Sequence, residues 1–164
     1  MTHQKLYKQT RFTDKTVIVT GGGTGIGKQV AKDLHAEGAS VHILGRRLEK
    51  LEESKGEADL DGDRFFCHQC DISDHRRVRE VFDRVMKASG PVYGLVNNAA
   101  INPSRNDILN TDLEDWTATM EVNLTGAFNC CKAAVEQMLA RGGGSIVNIY
   151  FCRRFKGVPH PYLL

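Results

Sequence analysis

The sequence predicts an α/β fold, a parallel sheet of about five strands held between two helical layers. Three observations predict it. Short β-branched or apolar runs alternate with amphipathic stretches along most of the chain. A glycine-rich turn, Gly21-Gly-Gly-Thr-Gly-Ile-Gly27, joins the first run to the first amphipathic stretch. The loops that carry chemically useful residues all follow strands, which in a parallel sheet gathers them on one edge.

Residues 1–12 form a polar leader with little periodicity, expected to gain order only near Phe12. Thr16–Thr20, with a charge before it and glycines after it, reads as a buried strand. Beyond the glycines, Ile26, Val30, Ala31 and Leu34 recur at helical spacing, and Gly38-Ala39 ends that helix. Ser40–Leu44 is a second strand. Arg46–Lys55 is charged and weakly helical, and Gly56–Asp63 is an acidic loop. Phe65–Gln69 makes a third strand that closes at Asp71. Asp74 caps a helix to about Ala88 that carries Val78, Val81, Phe82 and Val85 on one face. Val92–Asn97 is a fourth strand and Asn102–Asn110 a polar loop. A long helix starts at Asp112 and runs through Trp116, Met120, Leu124, Phe128, Ala133 and Met138 until Gly142–Gly144 stop it. Ser145–Ile149 is the fifth strand. No repeat and no low-complexity segment interrupts the pattern.

At 164 residues the chain makes one domain, assigned to residues 13–149 and followed by a tail at 150–164. The net charge is +2 with acids and bases mixed, which leaves no nucleic-acid footprint. No apolar run approaches a membrane span and no signal peptide opens the chain. Five cysteines, an odd count without signs of export, point to a reduced, cytoplasmic setting. Cys67-His68-Gln69-Cys70 has half of a zinc spacing, but its second pair is absent. Buried thiols are the better reading, and no metal is expected.

The glycines have a physical reason. Loop N–H groups and the open donors of a helix N-terminus favour an anion, provided the backbone can come close. Side chains at Gly21, Gly25 or Gly27 would block that approach, or block the packing of helix on strand. A ligand-free glycine turn is the plain alternative. A nucleoside-triphosphate loop fits the spacing as well, but Gln29 stands where that motif needs Ser or Thr for magnesium. Arg46 and Arg47, after the second strand, stand where a dinucleotide site chooses between a ribose 2′-hydroxyl and a 2′-phosphate. Gly45 brings no carboxylate, so NADP(H) is favoured over NAD(H). The competing reading of these arginines is a solvated helix start. Asp71 can accept from an adenine amino group or cap a turn.

Thr20-Gly21-x-x-x-Gly25-x-Gly27, Cys70-Asp71-Ile72, Asn97-Asn98-Ala99, Val122-Asn123-Leu124 and Gly144-Ser145-Ile146-Val147-Asn148-Ile149 occur in that order. Together they resemble the short-chain dehydrogenase/reductase family from about Thr13 to Ile149, with Ala100 replacing that family's usual glycine. The resemblance implies a Rossmann-type three-layer sandwich and hydride transfer between a nicotinamide and a carbonyl or alcohol substrate. It implies that Gly21, Gly23, Thr24, Gly25, Ile26, Gly27, Arg46, Arg47, Asp71, Ile72, Asn98, Ala99 and Ala100 form the coenzyme site. Asn97 would tie the central strands together. Asn123 matches an active-site asparagine that holds a water chain behind a catalytic lysine. Long helices pair subunits in this family, so helix 112–141 is expected to form a homo-oligomer.

The family's proton-transfer parts are a serine pair after the fifth strand and a Tyr-x-x-x-Lys on the next helix. Here Tyr150-Phe151-Cys152-Arg153-Arg154 stands in the serine region, and Phe155–Pro159 is family-like again. Tyr162 falls short of the tyrosine position, and the lysine has no counterpart. The expectation is a truncated member that lacks the family's C-terminal elements. It binds the dinucleotide but is impaired in catalysis, and it is poorly soluble alone because Ser145–Ile149 is left as an open edge. A short frame slip or variant splicing would explain the tail, and resequencing that region tests it.

Overall fold

Extended runs bounded by glycine and charge satisfy their backbones by pairing, and here they pair side by side in the parallel sense. The computed structural model describes residues 10–56, 63–103 and 110–150. In chain order the elements are β1 (Thr16–Thr20), α1 (Gly25–Ala36), β2 (Ser40–Gly45), α2 (Leu48–Gly56), β3 (Phe65–Gln69), α3 (His75–Ser89) and β4 (Val92–Asn97). Then come α4 (Leu113–Met120), a π-helical segment (Glu121–Gly126), α5 (Ala127–Ala140) and β5 (Ser145–Asn148). The strand order is β3-β2-β1-β4-β5, every pair parallel. This is the Rossmann-type α/β architecture. The direction of strand addition reverses between β1 and β4, the place where such sheets leave a crevice.

Alternation along the strands splits the core in two. Val17, Val19, Val41, Ile43 and Phe65 pack with Ala31 of α1 and Leu51 of α2 on one face. Ile18, Leu44, Val92 and Leu95 pack on the other with Val78, Val81, Phe82 and Val85 of α3 and Cys130, Ala134 and Met138 of α5. Those four α3 side chains are at most 1% exposed. Each contributes at most about 1.5–3 kcal/mol by burial, which explains why α3 forms on so charged a sequence. Asp74 accepts from the N–H groups of Arg76 and Arg77 and starts that helix where the sequence placed its cap.

Several boundaries differ from the sequence reading. Helix α1 already begins at Gly25, so Gly25 and Gly27 belong to its first turn rather than to a loop. The helix expected from Asp112 is one rod, but a six-residue π-helical segment interrupts it. Its inward side chains are Val122, Cys130, Ala134 and Met138, whereas Trp116, Leu124 and Phe128 are exposed. The polar leader up to residue 9, most of the acidic loop, the loop at 104–109 and the tail from 151 lie outside the described residues.

Beneath the C-terminal end of α3 lies a buried polar group. His42 of β2 is fully buried, stacks on Phe66 at 4.5 Å and has its Nδ1 2.9 Å from His68 Nε2. Its Nε2 lies 3.0 Å from Ser89 Oγ.

Candidate functional site

Loops after β1, β2, β3 and β4 converge on one cleft of about 390 Å³, in the range of small-molecule sites. Gly21, Gly23, Thr24, Gly25 and Ile26 form one wall, with Arg46, Arg47 and Lys50 beside them. Asp71 and Ile72 line the cleft from the third loop, and Asn98, Ala99, Ala100 and Ile101 from the fourth. Every residue assigned to the coenzyme site from sequence lies here except Gly27.

The first wall is a helix start open to the cavity. Thr24 is extended at the N-cap and makes no side-chain capping bond, and the first turn of α1 holds no acid. Its leading N–H groups and the positive end of its dipole are therefore available to an anion. Gly25 has φ +55°, and a Cβ there would meet nothing within 4 Å. Glycine is needed for the backbone, and the space beside it is free. Gly27 sits behind the wall, where a Cβ would stand 2.3 Å from Asn98 Nδ2 and 2.6 Å from the Gly21 carbonyl oxygen. Close packing of helix on strand, one of the two reasons the sequence offered for a glycine here, is what this geometry requires.

Arg47 stands at a helix start, as one of its two readings had it. Its carbonyl accepts from the N–H groups of Lys50 and Leu51 and so opens α2, while its side chain is exposed beside the cleft. Among the described residues no carboxylate pairs with Arg46 or Arg47, whereas Lys50 Nζ pairs with Glu53 at 2.6 Å. Ser54 of α2 is fully buried and donates to the Gly22 carbonyl, fastening the glycine turn from behind.

Asp71 does cap a turn: its Oδ1 accepts from the N–H of Ser73 at 3.0 Å and the hydroxyl at 2.7 Å. Among the described residues no hydrogen bond reaches its other oxygen, which leaves an acceptor for a ligand. Cys70 beside it is buried, and burial pushes its thiol up to about 11.

Asn98 faces the cleft but uses its amide on the scaffold, donating to the carbonyls of Thr20 at 3.0 Å and Gly21 at 3.3 Å. Asn97 ties strands together, its Nδ2 donating to Asn148 Oδ1 of β5 at 2.9 Å. Asn123, in the π-helical segment, holds the backbone of Ile101 from both sides. Its Oδ1 accepts from the Ile101 N–H at 2.8 Å and its Nδ2 donates to the Ile101 carbonyl at 2.9 Å. Its amide is thus occupied by the fourth loop, a contact that sequence reading did not anticipate. Tyr162 lies outside the described residues. Tyr150 follows β5 and is 85% exposed.

Lys50, Leu51, Ile101 and Val122 also line the cleft and were missed from sequence. Lys50 was findable, since it follows Arg47 by one helical turn and shares its face. Among the described residues no three His, Cys, Asp or Glu side chains are grouped to hold a metal ion, and no helix is long and apolar enough to cross a membrane. Backbone donors, unpaired guanidinium groups, a free carboxylate oxygen and apolar walls together suit a ligand with an anionic linker and flat ring systems.

The chain is similar to known proteins in both sequence and fold. The profile of the family described as short chain dehydrogenase matches residues 15–160. A 2,5-dichloro-2,5-cyclohexadiene-1,4-diol dehydrogenase of Sphingobium indicum is 35% identical over 151 residues, covering 90% of this chain and 58% of that protein. An NADP-dependent (R)-specific alcohol dehydrogenase of Lentilactobacillus kefiri is 38% identical over 153 residues, covering 91% and 59%. The structure of an NAD+-bound xylitol dehydrogenase superimposes with a TM-score of 0.80 at 30% identity, covering 84% of this chain and 53% of that one. The chain therefore spans little more than half the length of the relatives it matches.

Proposed function

Because the chain belongs to the short-chain dehydrogenase family, we propose that its cleft binds a nicotinamide dinucleotide and that the whole protein is an oxidoreductase acting on a carbonyl or alcohol substrate. The observation that carries this reading is the uncapped start of α1 opening beside Gly25, with Arg46 and Arg47, which pair with no carboxylate among the described residues, lining the same cavity. The residues fit the coenzyme. The turn at Gly21, Gly23, Thr24, Gly25 and Ile26 would hold the diphosphate on backbone N–H groups. Asp71, through its free oxygen, and Ile72 would receive the adenine, and Asn98, Ala99 and Ala100 would wall the site on the β4 side. When bound, the nicotinamide supplies or accepts the hydride.

The arginine pair supports NADP(H) over NAD(H). A guanidinium fork matches a 2′-phosphate, while Gly45 offers no carboxylate to a 2′-hydroxyl. One similar protein is named NADP-dependent and another is titled as bound to NAD+, which makes the ratio of the two affinities the deciding measurement. Asn123 would act as a support rather than on the reacting atoms, since its amide pins Ile101 against the π-helical segment. The apolar outer side of helix 112–141 would pair copies of the chain. Trp116, Leu124, Phe128 and Leu139, each at least 50% exposed, favour that role.

Calorimetric titration of the protein with NADPH and with NADH tests the reading. Saturable binding, tighter for NADPH, is the expected result, and a folded protein that binds neither coenzyme overturns it. NADPH oxidation against a panel of carbonyl compounds then reads whether the chain itself turns over.

A further inference from the structure

Arg46 is held by a side chain that does not line the cleft. Pairing of β2 with β3 ends at Gly45 and Gln69, and the N–H of Cys70 donates to the Gly45 carbonyl at 2.9 Å. Beyond that pair the Gln69 side chain extends the ladder, its Nε2 donating to the Arg46 carbonyl at 3.0 Å. Gln69 is itself gripped from the other side, where Arg77 Nε and Nη2 donate to its carbonyl at 3.2 and 3.1 Å. Arg77 is in turn fixed by the start of α3. Its N–H reaches Asp74 Oδ1 at 3.1 Å, and its Nη1 meets Glu80 at 3.0 Å. A polar chain thus runs from the α3 cap to the backbone of an arginine that lines the cleft.

We propose that Gln69, backed by Arg77, is a positioning residue that aims Arg46 at a ribose 2′-phosphate and so sets the selectivity of the site for NADP(H) over NAD(H). The inference rests on the coenzyme reading above and extends it to residues outside the cleft. Its physical basis is simple. Arg46 is the first residue past β2 and is exposed, so no packing fixes the direction in which its side chain leaves the backbone. The bond from Gln69 holds the Arg46 carbonyl, and so steadies the backbone from which that side chain departs. The guanidinium then loses less freedom when it closes on an anion, and its planar fork needs a defined approach for bidentate contact. A ribose hydroxyl makes no such demand, so the effect falls on the phosphorylated coenzyme.

The test is a double-mutant cycle of Gln69→Met and Arg46→Ala, with NADPH and NADH titrated against each protein and the melting temperature recorded. Gln69→Met keeps the side-chain length and removes the donor. It should weaken NADPH about three- to tenfold and NADH less than about twofold. In the Arg46→Ala background it should change neither coenzyme. Arg77→Met should shift the ratio in the same direction, which keeps the test open if Gln69→Met folds poorly. Equal weakening of both coenzymes, an unchanged ratio, or the same loss without Arg46 would overturn the proposal. If the unmutated protein binds neither coenzyme while folded, the coenzyme reading fails, a result distinct from binding with an unaltered ratio.

Discussion

Thr20 and Asn98 grip each other twice across the ends of β1 and β4. The Thr20 hydroxyl accepts from the Asn98 N–H at 3.0 Å, and Asn98 Nδ2 donates to the Thr20 carbonyl at 3.0 Å. The same hydroxyl takes the Ala99 N–H, also at 3.0 Å, and Thr20 is fully buried. One side chain therefore satisfies two backbone donors where the sheet opens into the cleft. Thr20→Val keeps the shape and removes the acceptor. We expect a loss of about 1–3 kcal/mol in urea unfolding, together with weaker coenzyme binding, because two N–H groups are left unpaired. Thr20→Ser should restore most of both, and a Thr20→Val protein as stable as the parent would show that these bonds contribute little.

Gly25 and Gly27 should fail differently. Gly27→Ala forces a Cβ into Asn98 and the Gly21 carbonyl, so the fold itself should lose about 1–3 kcal/mol. Gly25→Ala meets no neighbour and carries only the cost of a left-handed backbone, about 1–2 kcal/mol. Its larger effect should be on NADPH affinity, since the new methyl projects into the space assigned to the diphosphate. Chemical denaturation and calorimetry on both variants separate the two.

Replacing Arg46 with Ala should weaken NADPH about tenfold or more, the effect of one lost charge-assisted contact, while NADH changes less than about threefold. Raising the salt concentration should narrow the gap between the coenzymes in the parent protein and leave the variant nearly unaffected. Parallel losses for both coenzymes would assign Arg46 to another part of the site.

Acid should unfold this protein through its buried histidines. Burial, with His68 nearby, pushes His42 down to about 3. Burial, with Arg84 and Arg77, pushes His68 down to about 4. In the unfolded chain both titrate near pH ~6.5. Unfolded chains thus take up protons that the folded state refuses, and stability falls as pH drops from about 6.5 toward 4 and then 3. The slope is up to about 1.4 kcal/mol per pH unit for each ring. Urea midpoints at pH 7.5 and 5.0 should show this loss, and His42→Gln should reduce it. An identical pH dependence in the variant would remove His42 from the account.

On the outer side of helix 112–141, Leu124 and Phe128 are 59% and 63% exposed. A Leu124→Asp, Phe128→Asp double variant should shift sedimentation toward the monomer with an unchanged melting temperature. Unchanged association would mean that copies do not meet through this side.

Much of the site was legible because its chemistry is local in sequence. A glycine turn between a β-branched strand and a helix dictates an anion-accepting backbone, and Arg46-Arg47 and Asp71 each follow a strand directly. The alternation of runs also sufficed for a parallel sheet with helices on both faces. Less legible was anything that depends on who stands opposite. Gly27 looked like its neighbouring glycines, yet it faces Asn98 rather than the cleft. The π-helical segment leaves no mark in a 3.6-residue pattern, because its register is set by packing and not by composition.

The sequence by itself determined the order of the elements, the glycine turn before the first helix and the identity of the charges placed beside it. Only the tertiary structure decided that Asn98 and Asn123 work for the scaffold, that Gln69 and Arg77 stand behind Arg46, and that His42 is sealed beneath α3. Such pairings join residues from different strands and helices. Their geometry follows from how the layers pack, and no short stretch of chain contains it.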